Sequence, residues 1–182
     1  KDLEKFQGTS GIGCISDNEP QPLLVRSHLG LFAISTVGTI NNTDDLIDKY
    51  FSDHGHQFMA MSSGQVNPTE LVAALINQKD DLVSGILYAQ EQIEGSMTLL
   101  VLKQEGEIIA ARDRVGRLPV LVGKNEDGYC VSFESFAYLN LGYTDYKELG
   151  PGEIVVFTPD EVKTLVAPIN ENRKICTFLW IY

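Results

Sequence analysis

Four groups of residues in this 182-residue chain have types and spacings that could do chemistry. Cys14 follows the glycine-rich turn of Gly8, Gly11 and Gly13, a setting in which a nucleophile can be presented. A thiol needs a base beside it, none lies nearby in sequence, and a small buried thiol is the simpler reading. The same glycines fail as a phosphate loop, because no helix follows them and no Lys-Ser/Thr pair completes them. Asp53, His54 and His56 combine a carboxylate with two imidazoles. Histidines at i and i+2 of a helix end point apart and no further ligand is evident, so a polar helix-to-loop junction is preferred to a metal site. Asp44, Asp45 and Asp48 likewise suit a solvated helix start. Arg112, Asp113, Arg114 and Arg117 gather guanidinium groups in a loop between strands, fit either to grip a phosphate or carboxylate or to brace the turn through backbone bonds.

The elements that must position these groups are legible as changes of hydrophobic period. Thr43–Phe51 places Leu46, Ile47, Tyr50 and Phe51 on one helical side behind a polar cap. Asn67, Pro68 and Glu70 supply a cap, a first-turn proline and a first-turn acid ahead of Leu71, Val72, Leu75 and Ile76. Asp80 or Asp81 opens a third helix that carries Leu82, Ile86, Ala89 and Ile93 and stops at Gly95. Strands are predicted at Leu23–Arg26, Gly30–Ser35, Met97–Lys103, Glu107–Arg112, Leu118–Val122, Tyr129–Phe133, Glu153–Thr158 and Glu161–Ala167, mostly as hairpins. Their nearly continuous apolar runs call for burial on both faces, by a second sheet and by helices. The class is therefore α+β, in one domain over residues 1–182.

Composition narrows the function. The chain carries 14 Lys and Arg against 25 Asp and Glu, a net charge of −11, with no basic stripe, which disfavours nucleic acid as a partner. No apolar run is long enough for a membrane helix. Cys14, Cys130 and Cys176 are three in number and far apart, which reads as reduced thiols in a cytoplasmic protein. The chain opens at Lys1 and stops in the apolar stretch Ile175–Tyr182, so it reads as a piece of a longer protein.

As a string the chain resembles the glutamine-hydrolysing domains of the glutamine phosphoribosylpyrophosphate amidotransferases (amidophosphoribosyltransferases), which are class II glutamine amidotransferases. The resemblance rests on Gly95-Ser96, Arg112-Asp113, Gly116, Pro119, Gly123-Lys124, Ser132 to Ser135, Gly142 and Pro151-Gly152-Glu153. The family has Arg-Asp-Pro-x-Gly-x-Arg-Pro-Leu-x-Leu-Gly, then Ser-Glu-Ser and Pro-Gly-Glu, at compatible spacings. The resemblance implies a four-layer αββα sandwich of the N-terminal-nucleophile hydrolase type with two mainly antiparallel sheets. It further implies a phosphoribosyltransferase domain of the same parent chain as partner, a role in purine biosynthesis and no cofactor or metal, and it allows a homo-oligomer.

The resemblance also assigns the glutamine pocket, and there the chain departs from the family. The family nucleophile, a Cys at the mature N-terminus, is placed upstream of Lys1. The family's Gly-Ile-Gly-His-x-Arg-Tyr, whose Arg grips the substrate carboxylate, corresponds to Gly11 to Asp17, with Cys14 in the string, Ser16 at the Arg position and Asp17 beside it. The oxyanion motif His-Asn-Gly-Asn corresponds to Thr36, Val37, Gly38 and Thr39, so that Thr36 or Val37 replaces the Asn donor. The Ser-Asp-Ser/Thr-Glu motif, whose Asp holds the α-ammonium, corresponds to Asn67, Pro68, Thr69 and Glu70, with Pro68 at the Asp position. The expectation is a retained fold with a lapsed glutaminase site, a pseudoenzyme domain inactive by itself and without catalytic residues. An active amidotransferase with an upstream nucleophile and an altered amide donor, and a non-catalytic binding module, are the alternatives.

Overall fold

A computed structural model describes residues 8–16, 19–54, 58, 61–62, 64–169 and 177. Five strands follow hairpin or near-neighbour order in one sheet: β1 (Leu23–Ser27), β2 (Gly30–Ile40), β5 (Gly95–Lys103), β6 (Ile108–Ala111) and β10 (Ile154–Phe157). With β11 (Val162–Val166) they form a six-stranded sheet of order β1-β2-β5-β6-β10-β11, antiparallel throughout. β7 (Leu121–Asn125), β8 (Gly128–Ser132) and β9 (Thr144–Glu148) form a second antiparallel sheet of order β8-β7-β9. A two-residue pair, β3 (Met61–Ser62) and β4 (Gln65–Val66), precedes the second helix.

Strand alternation shows what covers each face. Phe32, Ile34, Met97, Leu99, Val101, Ile109, Ala111 and Ile154 point to one side of the large sheet, where they form a core with Leu46, Leu71, Leu75, Ile76 and Ile86. Those partners belong to α1 (Thr43–His54), α2 (Pro68–Ile76) and α3 (Leu82–Gln92). The intervening residues Leu100, Ala110, Val155 and Phe157 point to the other side and pack on Val120, Val122, Val131 and Leu149 of the small sheet and its flanks. On the far face of that sheet lies α4 (Ser135–Leu139), whose Tyr138 ring sits so near Gly123 that an added Cβ would meet it at 2.7 Å. The layers are thus α, β, β, α, as the resemblance implies.

The three predicted helices form, and α2 and α3 start as their caps dictate. Asn67 Oδ1 accepts the Thr69 N–H at 2.8 Å and Asp81 Oδ1 accepts the Ser84 N–H at 2.9 Å. The strands differ in detail. β2 runs on past Ser35 to Ile40 because β5 pairs with it throughout, from Phe32↔Lys103 to Ile40↔Gly95. The strand predicted from Leu118 begins only at Leu121: Pro119 has no N–H for a ladder, and the Leu118 carbonyl accepts from Arg112 Nε at 2.8 Å. α4, β9 and the β3–β4 pair carry no strong sequence signal. No helix among the described residues is long and apolar enough to cross a membrane.

The two sheets are joined at the Arg112-Asp113 corner, where bracing, one of the two sequence readings, is what the structure shows for Arg112. The Arg112 guanidinium, 3% exposed, donates to the carbonyls of Leu118, Leu149 and Gly116 (3.0 Å) and to the Glu148 carboxylate (2.9 Å). The Asp113 carboxylate, 2% exposed, accepts the N–H groups of Val115 (3.1 Å) and Arg117 (3.0 Å) and the Thr98 hydroxyl. Replacing Arg112 by Met is expected to lower stability by about 3–5 kcal/mol, since several buried acceptors lose their donor at once. Denaturant unfolding checks this, and a change below 1 kcal/mol would contradict the bracing role.

Under α4 the Tyr138 hydroxyl donates to Asp145 Oδ1 at 2.6 Å, and burial, with the carboxylate second, pushes the phenol up from 10.0 to about 12. Between those values the folded state keeps a proton that the unfolded state releases, so stability is full below pH 10 and falls as pH rises toward 12. Urea unfolding from neutral to alkaline pH is expected to show that decline, and Tyr138→Phe to remove this residue's share of it.

Candidate functional site

The site is assembled at one end of the sandwich, where the two sheets part. β1 ends, toward its N-terminus, at Leu23, and the following ladder position opposite β2 is taken by the Gln21 side chain. Its Oε1 accepts the Thr36 N–H at 2.8 Å and the Ser35 hydroxyl at 2.9 Å. This leaves a cavity of about 630 Å³, a size suited to a small-molecule ligand. Its walls come from Gly13 to Ser16, Glu19 and Gln21 on the entering loop, Ser35 to Gly38 on β2, Pro68 on α2, Met97 and Leu100 on β5, and Ser132 to Glu134 at the end of β8 and just beyond it.

Six of the residues singled out from the sequence, Cys14, Ser16, Thr36, Val37, Gly38 and Pro68, therefore meet in one cavity although they span more than fifty positions. Asp17, the seventh, lies outside the described residues. Five of the six are accounted for by local structure. Ser16 Oγ accepts the Glu19 N–H at 3.1 Å and so holds the entering loop. Thr36 turns to the helix layer, where its hydroxyl bonds the Thr69 hydroxyl at 2.6 Å, both groups buried. Val37, on the opposite face of β2, offers the cavity a branched alkyl group and no donor. Pro68 opens α2 without an N–H to give, and the next amide, of Thr69, is already held by Asn67. Gly38 has φ +154°, and an added Cβ would lie 1.9 Å from the Ser96 carbonyl oxygen, so its glycine is demanded by the approach of β2 to β5.

The thiol of Cys14 is free and exposed on the cavity wall, contrary to the buried thiol expected from the sequence. Cys130 is also free, its thiol pushed up by burial, and Cys176 lies outside the described residues. No histidine among the described residues lines the cavity. His28 bonds the Lys79 carbonyl oxygen through Nε2 at 2.8 Å, between β1 and β2, and lines a different cavity. The His54 side chain and His56 lie outside the described residues, among which no cluster of three metal-ligating side chains occurs. Arg114 and Arg117 are exposed and stand away from the cavity. Sequence reasoning did not place Glu19 and Gln21, which no motif marks, or Phe133 and Glu134, which the Ser132 to Ser135 match marks without a pocket role, at this site; the entering loop and the β8–α4 junction bring them to the cavity.

Fold and cavity together define a class. A family model described as a glutamine amidotransferase domain matches residues 10–139, and the chain belongs to that family, in its class II form. Among curated relatives, the amidophosphoribosyltransferases of Archaeoglobus fulgidus (26% identical) and Bacillus subtilis (29%) each match 100% of this chain. The chain spans 41% and 39% of their respective lengths. Among solved structures, the glutamine phosphoribosylpyrophosphate amidotransferase of B. subtilis complexed with ADP and GMP superposes with a TM-score of 0.77 at 29% identity, over 90% of this chain and 35% of its own. Within the family, it is the glutaminase-type domains of the amidophosphoribosyltransferases that this chain is similar to.

Gly38→Ala is expected to cost about 3 kcal/mol or more, from a left-handed backbone and a backbone clash together. Urea unfolding measures the loss; an unchanged midpoint would show that β2 and β5 can separate without penalty.

Proposed function

We propose that residues 1–182 are one glutamine amidotransferase-like domain of an amidophosphoribosyltransferase homologue in purine nucleotide biosynthesis, and that its glutaminase site has lapsed. In this reading a phosphoribosyltransferase domain follows in the same cytoplasmic parent, which takes ammonia directly, and the present domain is a structural or regulatory partner in a homo-oligomer. The observation that carries the reading is the make-up of the cavity: among the described residues that line it, the charged side chains are Glu19 and Glu134, and none is Lys, Arg or His.

Glutamine brings an α-carboxylate, an α-ammonium and an amide carbonyl that becomes an oxyanion on attack. The carboxylate meets Ser16 and two like charges instead of a guanidinium fork. The ammonium meets Pro68 where the family has an Asp. The oxyanion meets Val37, and loss of one such donor typically costs about 100-fold or more in rate. Each lost charge-assisted hydrogen bond is worth about 1.5–3 kcal/mol, so two weaken binding by about 100-fold or more. What the chain keeps, Gly38, the α2 cap and the Arg112-Asp113 corner, serves folding whether or not the site is active.

Calorimetric titration of the full-length parent with millimolar glutamine, with glutamate release assayed alongside, is expected to show neither binding nor turnover. Millimolar or tighter binding with glutamate release would overturn the reading and favour an active amidotransferase.

A further inference from the structure

We infer that a second cavity, at the start of β5, is a binding site for a small neutral amide with an apolar body. It lies between the end of α3, the first residues of β5 and the loop that follows β6, and holds about 370 Å³, enough for a small molecule. Gln90 of α3 lines it and is 7% exposed. Its Nε2 donates to the Arg112 carbonyl oxygen at 3.0 Å, which fixes which way round the amide sits. Its Oε1 is buried and has no hydrogen-bond partner among the described residues. A buried acceptor left without a donor is costly, and a ligand N–H recovers that cost.

A second observation adds backbone groups to the same place. β5 pairs with β2 from Ile40↔Gly95, but with β6 only from Leu99↔Ala111, because the chain turns away at the Arg112-Asp113 corner. Thr98 takes up part of the gap, its hydroxyl accepting the Asp113 N–H at 3.2 Å. Gly95 to Met97, which line the cavity, are left with a strand edge that has no ladder partner among the described strands. Such an edge offers both N–H and C=O groups, and an amide is the group that answers both. Ile93, Val115 and Ile169 supply apolar wall, against which an alkyl or aryl body gains by leaving water. Glu91 and Arg114, both exposed, also line the cavity with opposite charges, so neither sign of ligand charge is drawn in. An acid of the same shape brings a second oxygen to Gln90 Oε1 where the amide brings a donor, so the cavity selects the amide.

Benzamide and benzoate share one ring and differ in the amide N–H groups, and they are the probes for calorimetry on the full-length parent. Benzamide is expected to bind more tightly than benzoate by about tenfold or more. Gln90→Met removes the buried acceptor at similar volume and is expected to weaken benzamide by about tenfold or more. Ile169→Trp acts from an exposed position by filling the cavity, and is expected to abolish benzamide binding while the unfolding midpoint stays unchanged. It keeps the proposal testable should Gln90→Met fail to fold. Equal binding of the two probes, no binding of benzamide, or full retention of benzamide in the Ile169→Trp variant or in a folded Gln90→Met variant would each overturn the proposal. None of these results depends on glutamine binding or glutamate release, so failure here leaves the lapsed-site reading untouched.

Discussion

The fold depends on solvating two opposite charges with backbone at a single corner. Arg112 follows β6, where the chain leaves the large sheet and crosses to the small one outside any strand ladder. Buried peptide groups left without partners are costly, so the crossing is viable only if side chains supply them. The guanidinium gives donors to three carbonyls and a carboxylate, and Asp113 takes two amides and a hydroxyl. The Asp113 carbonyl also accepts from Gly116 (3.0 Å) and Gly152 (2.9 Å), which ties the start of β10 to the same point. Glu153 adds a second tie between the layers, accepting from Lys147 of β9 and from Thr164 of β11.

That corner sets where the cavity opens. With the sheets clamped at the β6–β7 crossing, the inner faces of β5, β6 and β10 pack on β7 and β8 through Leu100, Ala110, Val155, Val122 and Val131. Packing ends near Leu100, beyond which β2 and β5 continue under the helices but the small sheet stops at Ser132. The gap is then floored by strand residues and walled by whatever loops reach it. Two backbone approaches keep the floor tight. Gly38 lies against the Ser96 carbonyl and Gly95 against the Thr39 carbonyl, each with room for hydrogen only.

Scaffold and chemistry are therefore separable in this molecule. Glycines at close approaches, the α2 cap and the charged corner recur in the family's motifs because any chain with this layering needs them. The groups that would contact a substrate stand on the entering loop and on side chains facing empty space, where the fold imposes little on residue type. Substitution there leaves the layers intact and changes what the cavity can hold. Ser16, Val37 and Pro68 line the cavity, while the hydrogen bonds that hold the two sheets together lie at the Arg112-Asp113 corner.

Local signals read from the sequence carried much of the architecture. The period of Leu71, Val72, Leu75 and Ile76, the Asn67 cap and the hairpin turns were legible because they depend on neighbours within a few residues. The family's motif string, moreover, assigns Ser16, Val37, Gly38 and Pro68 to one pocket, and all four line the cavity. Other features were decided by tertiary contact alone. β2 extends to Ile40 because β5, some sixty residues later, supplies its ladder, and Tyr138 secures α4 by packing on Gly123, a helix too short to announce itself in sequence. Only the assembled structure turns Thr36 toward Thr69 and Val37 into the cavity, and brings Glu19 and Glu134 to the same cavity. The reason is physical: a cap or a turn is settled by bonds between near neighbours, whereas the charge of a cavity is the sum of distant segments that share no pattern until they meet.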